Sequence, residues 1–130
     1  MKTNRKANRE QLIYRIISDE DWRKALQLGR IDCTDADRDS GFMHFSRREL
    51  LLETAGLYFN AQQNPLALEI QAAQLGEDLI MEAVGTRANQ IFPHLYANHF
   101  SLKTVSGFHR LLPQKENRFK LGQRTSFSHD

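Results

Sequence analysis

The chain has 130 residues, 40% hydrophobic and 26% charged, with a formal net charge of +2. That describes one soluble domain able to bury a core without disulfide staples, and it excludes a disordered chain. A single cysteine, Cys33, excludes an internal disulfide and a Cys-based zinc cluster.

The charge is uneven. Lys2, Arg5, Lys6 and Arg9 against Glu10 leave residues 1–10 at +3, and Lys115, Arg118, Lys120 and Arg124 against Glu116 and Asp130 leave residues 113–130 at +2. The body between is therefore mildly acidic. Both ends lack apolar periodicity, so residues 1–11 and 113–130 are expected as flexible basic arms around a single domain at 12–112. Basic arms attract phosphates, but solvated ends are the plainer reading, and nucleic acid is not the expected partner. The apolar run near the N-terminus, "LIY", is short for a signal peptide or a membrane span. The expected setting is the cytoplasm, with no membrane partner.

In chain order, "LIYRII" reads as a strand with Arg15 as its only charge. Ser18 with Asp21 is a capping pattern, and a helix is expected through "EDWRKALQL", stopping at Gly29 with Trp22, Ala25 and Leu26 on its inner face. "IDCTDADRDSG" reads as a polar loop and "GFMHF" as a short strand. Ser46 with Glu49 predicts a second capping box and a helix to about Asn60, with Leu51, Ala55 and Tyr58 on one stripe. "NPLALEIQ" and "LIMEAV" are strands separated by a helical turn, "GTRANQ" is a loop, and "PHLY" and "LKTVSGFHRLL" are the last strands. Helices early and strands late predict an α+β domain with two main helices, not a doubly wound parallel sheet.

A few residues stand out as chemistry. "DADRDSG" has the alternating aspartates of a calcium loop, but position six is Ser40 and position twelve is Ser46, so the bidentate closing ligand is missing and no metal is expected. Alternation puts Phe42, His44 and Ser46 on one strand face and Met43 and Phe45 on the other. If Met43 and Phe45 take the core, His44 and Ser46 look into a cleft; the alternative is a histidine satisfied by a backbone carbonyl. Glu82 is a carboxylate in an apolar strand, costly to bury alone. It either lines a cleft or forms a salt bridge, for instance with Arg15. In "QIFPHLYANHF", His94 and Tyr96 lie two apart and share a face, Ile91, Phe92 and Leu95 are candidate core, and His99 is expected at the surface.

These motifs carry a resemblance. "IYRI…W…G", "DSGFMHFS", "LGEDLIMEAVG" and "FPHLY", in this order, resemble the small bacterial family called domain of unknown function 952, over about residues 12–112. Members of that family resemble ADP-ribosyltransferases in fold, a split, mostly antiparallel sheet around a cleft that holds NAD in true transferases. The resemblance implies ligand-binding roles for Arg15 and Ser46, catalytic roles for Glu82 and His44, and His94 and Tyr96 as further lining groups. It implies NAD as a candidate substrate, with no resident cofactor required, and cleavage of its N-glycosidic bond. A non-catalytic module that uses the same cleft for a small molecule or a peptide is the alternative, and the residues alone leave enzyme and module open.

Overall fold

The computed structural model describes residues 5–6, 11–83 and 90–128. The loop expected at "GTRANQ" and the end of the strand expected at "LIMEAV" lie largely outside them. The described chain is α+β. Its strands are β1 (Arg5–Lys6), β2 (Leu12–Ile17), β3 (Arg30–Asp32), β4 (Met43–His44), β5 (Leu66–Gln71), β6 (Leu79–Glu82), β7 (Phe92–Leu95), β8 (His99–Ser101), β9 (Val105–Pro113) and β10 (Phe119–Ser126). The α-helices are α1 (Asp19–Leu28), α2 (Asp35–Ser40) and α3 (Leu51–Tyr58). The strands form two four-stranded sheets, ordered β1-β6-β7-β4 and β10-β9-β5-β2, and a pair, β3-β8. Each of these pairings is antiparallel. The larger sheets meet at one bridge, where Tyr14 N–H donates to the Ser46 carbonyl at 2.8 Å and Ser46 N–H to the Tyr14 carbonyl at 2.7 Å.

The second sheet is covered on both faces, and its central strands are apolar for that reason. From β2 and β5, Ile13, Ile17, Leu66, Leu68 and Ile70 enter one core with Trp22, Ala25, Met43 and Phe45. The intervening Tyr14, Ile16 and Ala67 enter a second core with Leu51 and Ala55 of α3. Each fully buried aliphatic side chain contributes about 1.5–3 kcal/mol. Of the two faces that alternation left open, the first core takes Met43 and Phe45, and this sets the direction in which His44 points.

The helix α1 has the expected caps: the Ser18 hydroxyl accepts from Asp21 N–H at 3.1 Å, and Gly29 closes the helix in the left-handed region at φ 78°. Trp22 and Ala25 are buried, but Leu26 is exposed, because the α1 face that meets the sheet is narrow. Several expectations are corrected. The run 35–40, read as a loop, is α2, started by a reciprocal capping box of Thr34 and Asp37 and ended by Gly41 at φ 91°. Ser46 is not a helix cap: a 3-10 turn at Arg48–Leu50 precedes α3, with Arg47 at its start and no side-chain cap. Tyr58 and Ile91 are exposed, since α3 buries only Leu51 and Ala55 and Ile91 lies just before β7.

The expected arms also differ. Arg5–Lys6 pair with Ile80 and Met81 of β6. The C-terminal segment carries β10, paired along β9 from Phe119 opposite Pro113 to Ser126 opposite Gly107. Glu69 of β5 holds it in place: Arg124 Nη2 lies 2.7 Å from Glu69 Oε1, and the Ser106 hydroxyl donates to the same oxygen at 3.0 Å. Among the described residues no helix is long and apolar enough to cross a membrane.

Candidate functional site

The site forms where β4, β7 and β6 lie side by side. Register places His44 of β4 and Ile80 of β6 on either side of His94 of β7, so Glu82 falls diagonally across from His94. Phe42, just after α2, stacks on the His94 ring at 3.9 Å between centroids and 21° between planes. It also packs against His44 at 4.9 Å and Tyr96 at 5.6 Å. Three rings with polar edges thus surround one apolar ring.

Two carboxylates serve the two histidines. Glu82 Oε2 lies 2.9 Å from His94 Nδ1 and accepts a short hydrogen bond from the Tyr96 hydroxyl. Burial works to raise the Glu82 carboxyl, but the bonds from Tyr96 and His94 outweigh it and hold it below the usual carboxylate range. The same bond pushes the Tyr96 phenol up to about 12. Burial of His94 pushes its ring below the usual histidine value against the pull of Glu82, so the pair is an ionised carboxylate with a neutral imidazole.

Asp37 of α2 serves His44. Its Oδ1 lies 2.7 Å from His44 Nδ1, and Arg15 grips both oxygens, Nη1 to Oδ1 at 3.1 Å and Nη2 to Oδ2 at 2.6 Å. Burial alone would raise the Asp37 carboxyl; bonds from His44, Arg15 and Thr34 and the Arg15 charge hold it far below the usual range instead. Arg15 and Asp37 are both almost wholly buried, whereas the His44 side chain is 43% exposed.

The sequence-derived candidates therefore divide. His44, Glu82, His94 and Tyr96 converge around Phe42. Arg15 is next to them and almost wholly buried: its guanidinium grips Asp37 and also donates to the His44 carbonyl at 2.9 Å, so it braces the site. Ser46 is buried and joins the two sheets through its backbone. The salt bridge offered for Glu82 with Arg15 does not form: Arg15 pairs with Asp37 and Glu82 with His94. Asp37 was missed. Its signal was Thr34 three residues before it and Gly41 after it, a capping box and helix stop inside a run that looks like a solvated loop.

A cavity of about 1010 Å³ opens beside the cluster, with Arg15, Asp37, Phe42, His44, Ser46 and His94 in its wall. Its volume is at the upper end of small-ligand sites. Glu82 and Tyr96 are not part of that wall; Glu82 reaches the cluster through His94 and Tyr96 through Phe42. Among the described residues no three His, Cys, Asp or Glu side chains are placed to hold a metal ion.

The comparisons place the chain in a family. The crystal structure of protein CC0527 from Caulobacter crescentus is 35% identical to the chain with a TM-score of 0.74, covering 84% of this chain and 93% of that one. The solution NMR structure of CC0527 is 36% identical with a TM-score of 0.70, covering 82% and 90%. No curated protein matches the chain. The family model described as "Protein of unknown function (DUF952)" matches residues 16–107, and the chain belongs to that family.

Proposed function

We propose that this domain binds NAD or a related nucleotide at the Phe42 cluster and acts on its N-glycosidic bond, in an ADP-ribosyltransferase-like fold. The observation that carries the reading is the pairing of each histidine with a carboxylate around one aromatic ring, His44 with Asp37 and His94 with Glu82. Shifted carboxyl, imidazole and phenol groups gathered beside a cavity are what a catalytic cleft needs. Phe42, stacked on His94, is part of the cavity wall beside His44. An ionised carboxylate stabilises the positive charge that develops on the sugar as a glycosidic bond opens; the resemblance gives that role to Glu82, which lies behind His94, outside the cavity wall.

The test is turnover of NAD to nicotinamide, followed by chromatography, in the wild type and in Glu82→Gln. Expected is loss of turnover by roughly 10²–10³-fold, the size of losing one electrostatic stabiliser, with NAD binding retained. A wild type that neither binds nor cleaves NAD at millimolar concentration overturns the reading.

One observation favours a second reading. Both Nη groups of Arg15, which the resemblance assigns to the ligand, are taken by Asp37 and the His44 carbonyl, and its Nε is left buried without a partner. That suits a non-catalytic module that keeps the cleft for a small molecule or a peptide. In that case NAD or an analogue binds without turnover, and Glu82→Gln changes nothing but affinity.

A further inference from the structure

We infer that Asp37 is a positioning residue that fixes the His44 imidazole with its hydrogen on Nδ1, leaving Nε2 as the proton acceptor of the cleft. The acceptor role rests on the reading above; the fixed tautomer does not. Asp37 Oδ1 accepts from Arg15 Nη1 at 3.1 Å and from the His44 backbone N–H at 3.2 Å, while Oδ2 accepts from Arg15 Nη2 at 2.6 Å and from the Thr34 N–H at 2.9 Å. Each of those partners is an obligate donor. Both carboxylate oxygens are therefore acceptors, and Asp37 has no proton to give. His44 Nδ1, 2.7 Å from Oδ1, must carry the hydrogen between them. In a neutral ring that leaves the lone pair on Nε2.

The placement is over-determined. The backbone N–H of His44, its carbonyl and its Nδ1 are all held by the same Arg15–Asp37 pair. Asp37 is itself fixed at the start of α2 by Thr34, whose hydroxyl accepts from Asp37 N–H at 3.2 Å. Phe42 packs against the ring at 4.9 Å, and His44, with its side chain 43% exposed, is part of the cavity wall. In the reaction, a water oxygen bonds to the anomeric carbon and gives its proton to His44 Nε2. The carbon–nitrogen bond breaks with its electron pair going to the nicotinamide nitrogen. Asp37 stabilises the imidazolium so formed.

Long-range proton–nitrogen NMR of the histidine rings at neutral pH reads the tautomer directly. Expected for His44 in the wild type is the Nδ1–H form, and this spectrum stands alone because Asp37→Asn leaves Arg15 short of its charge partner. Where D37N folds, Arg15 takes the amide oxygen, the amide N–H₂ faces His44, and the ring changes to Nε2–H. Its kcat for NAD falls roughly 10²–10⁴-fold, the range of a lost general base, with little change in KM. An Nε2–H form in the wild type overturns the inference even if NAD is cleaved. An Nδ1–H form in a protein that ignores NAD leaves the positioning standing and removes the enzymatic reading instead.

Discussion

Glu69 and Glu82 occupy the same kind of place in the sequence, a carboxylate inside an apolar strand, and the fold uses them in opposite ways. Glu69 in β5 is nearly sealed, and Arg124 closes on it with Nε and Nη2 while Ser106 adds a hydroxyl. The bonds from Arg124 lead the forces that hold its carboxyl below the usual range, against burial. Glu82 in β6 keeps a side-chain exposure of 19%, and its partners among the described residues are a phenol and an imidazole. A carboxylate matched by a guanidinium deep in a sheet is a fastening. A carboxylate matched by a phenol and an imidazole, and still partly exposed, is the one the proposal above assigns to chemistry. Arg15–Asp37 combines the two: a sealed ion pair that also holds an exposed histidine.

The comparison is sharpest in stability. Arg15→Met leaves the Asp37 carboxylate buried without its countercharge and is expected to cost about 3–5 kcal/mol. Glu69→Gln keeps a hydrogen-bonding group opposite a half-exposed Arg124 and is expected to cost about 1–3 kcal/mol. Urea denaturation with constant slope measures both. Equal losses would mean that the two ion pairs do the same job.

Acidity separates the regions by pH. Asp37, Glu69 and Glu82 have depressed carboxyls. Their contribution is complete above the ordinary carboxylate value of ~4 and is lost as pH falls below it. The buried His94 ring is also depressed, so the unfolded chain takes up its proton first and stability already falls as pH drops below ~6.5. Tyr96 has the opposite sign: its phenol is raised to about 12, so its contribution holds at neutral pH and is lost as pH climbs past ~10. The urea midpoint from pH 3 to 11 is expected to show a shallow limb near pH 6 that His94→Gln removes and a steeper acid limb that it leaves. A single acid limb would place the histidine on the same footing as the structural pairs.

Much of this was legible in the sequence where the signal is local. The caps of α1, the common face of Met43 and Phe45 and the shared side of His94 and Tyr96 all follow from neighbours a few residues apart. What was not legible depends on distant partners. Asp37 looks solvated until Arg15, twenty-two positions earlier, is brought against it. The strand β10 has one buried residue at its start and exposed ones toward its end, so it shows no apolar alternation; its place comes from pairing with β9 and from Arg124 meeting Glu69. The short strands β3 and β8 exist as a pair and carry too few residues for a pattern of their own.

Amide and side-chain NMR during a titration with NAD compares the two regions in one experiment. The account predicts concentration-dependent shifts at Phe42, His44, His94 and Tyr96 with the signals of Glu69, Ser106 and Arg124 unmoved. Shifts confined to the Glu69–Arg124 region, or none at millimolar NAD, would contradict it.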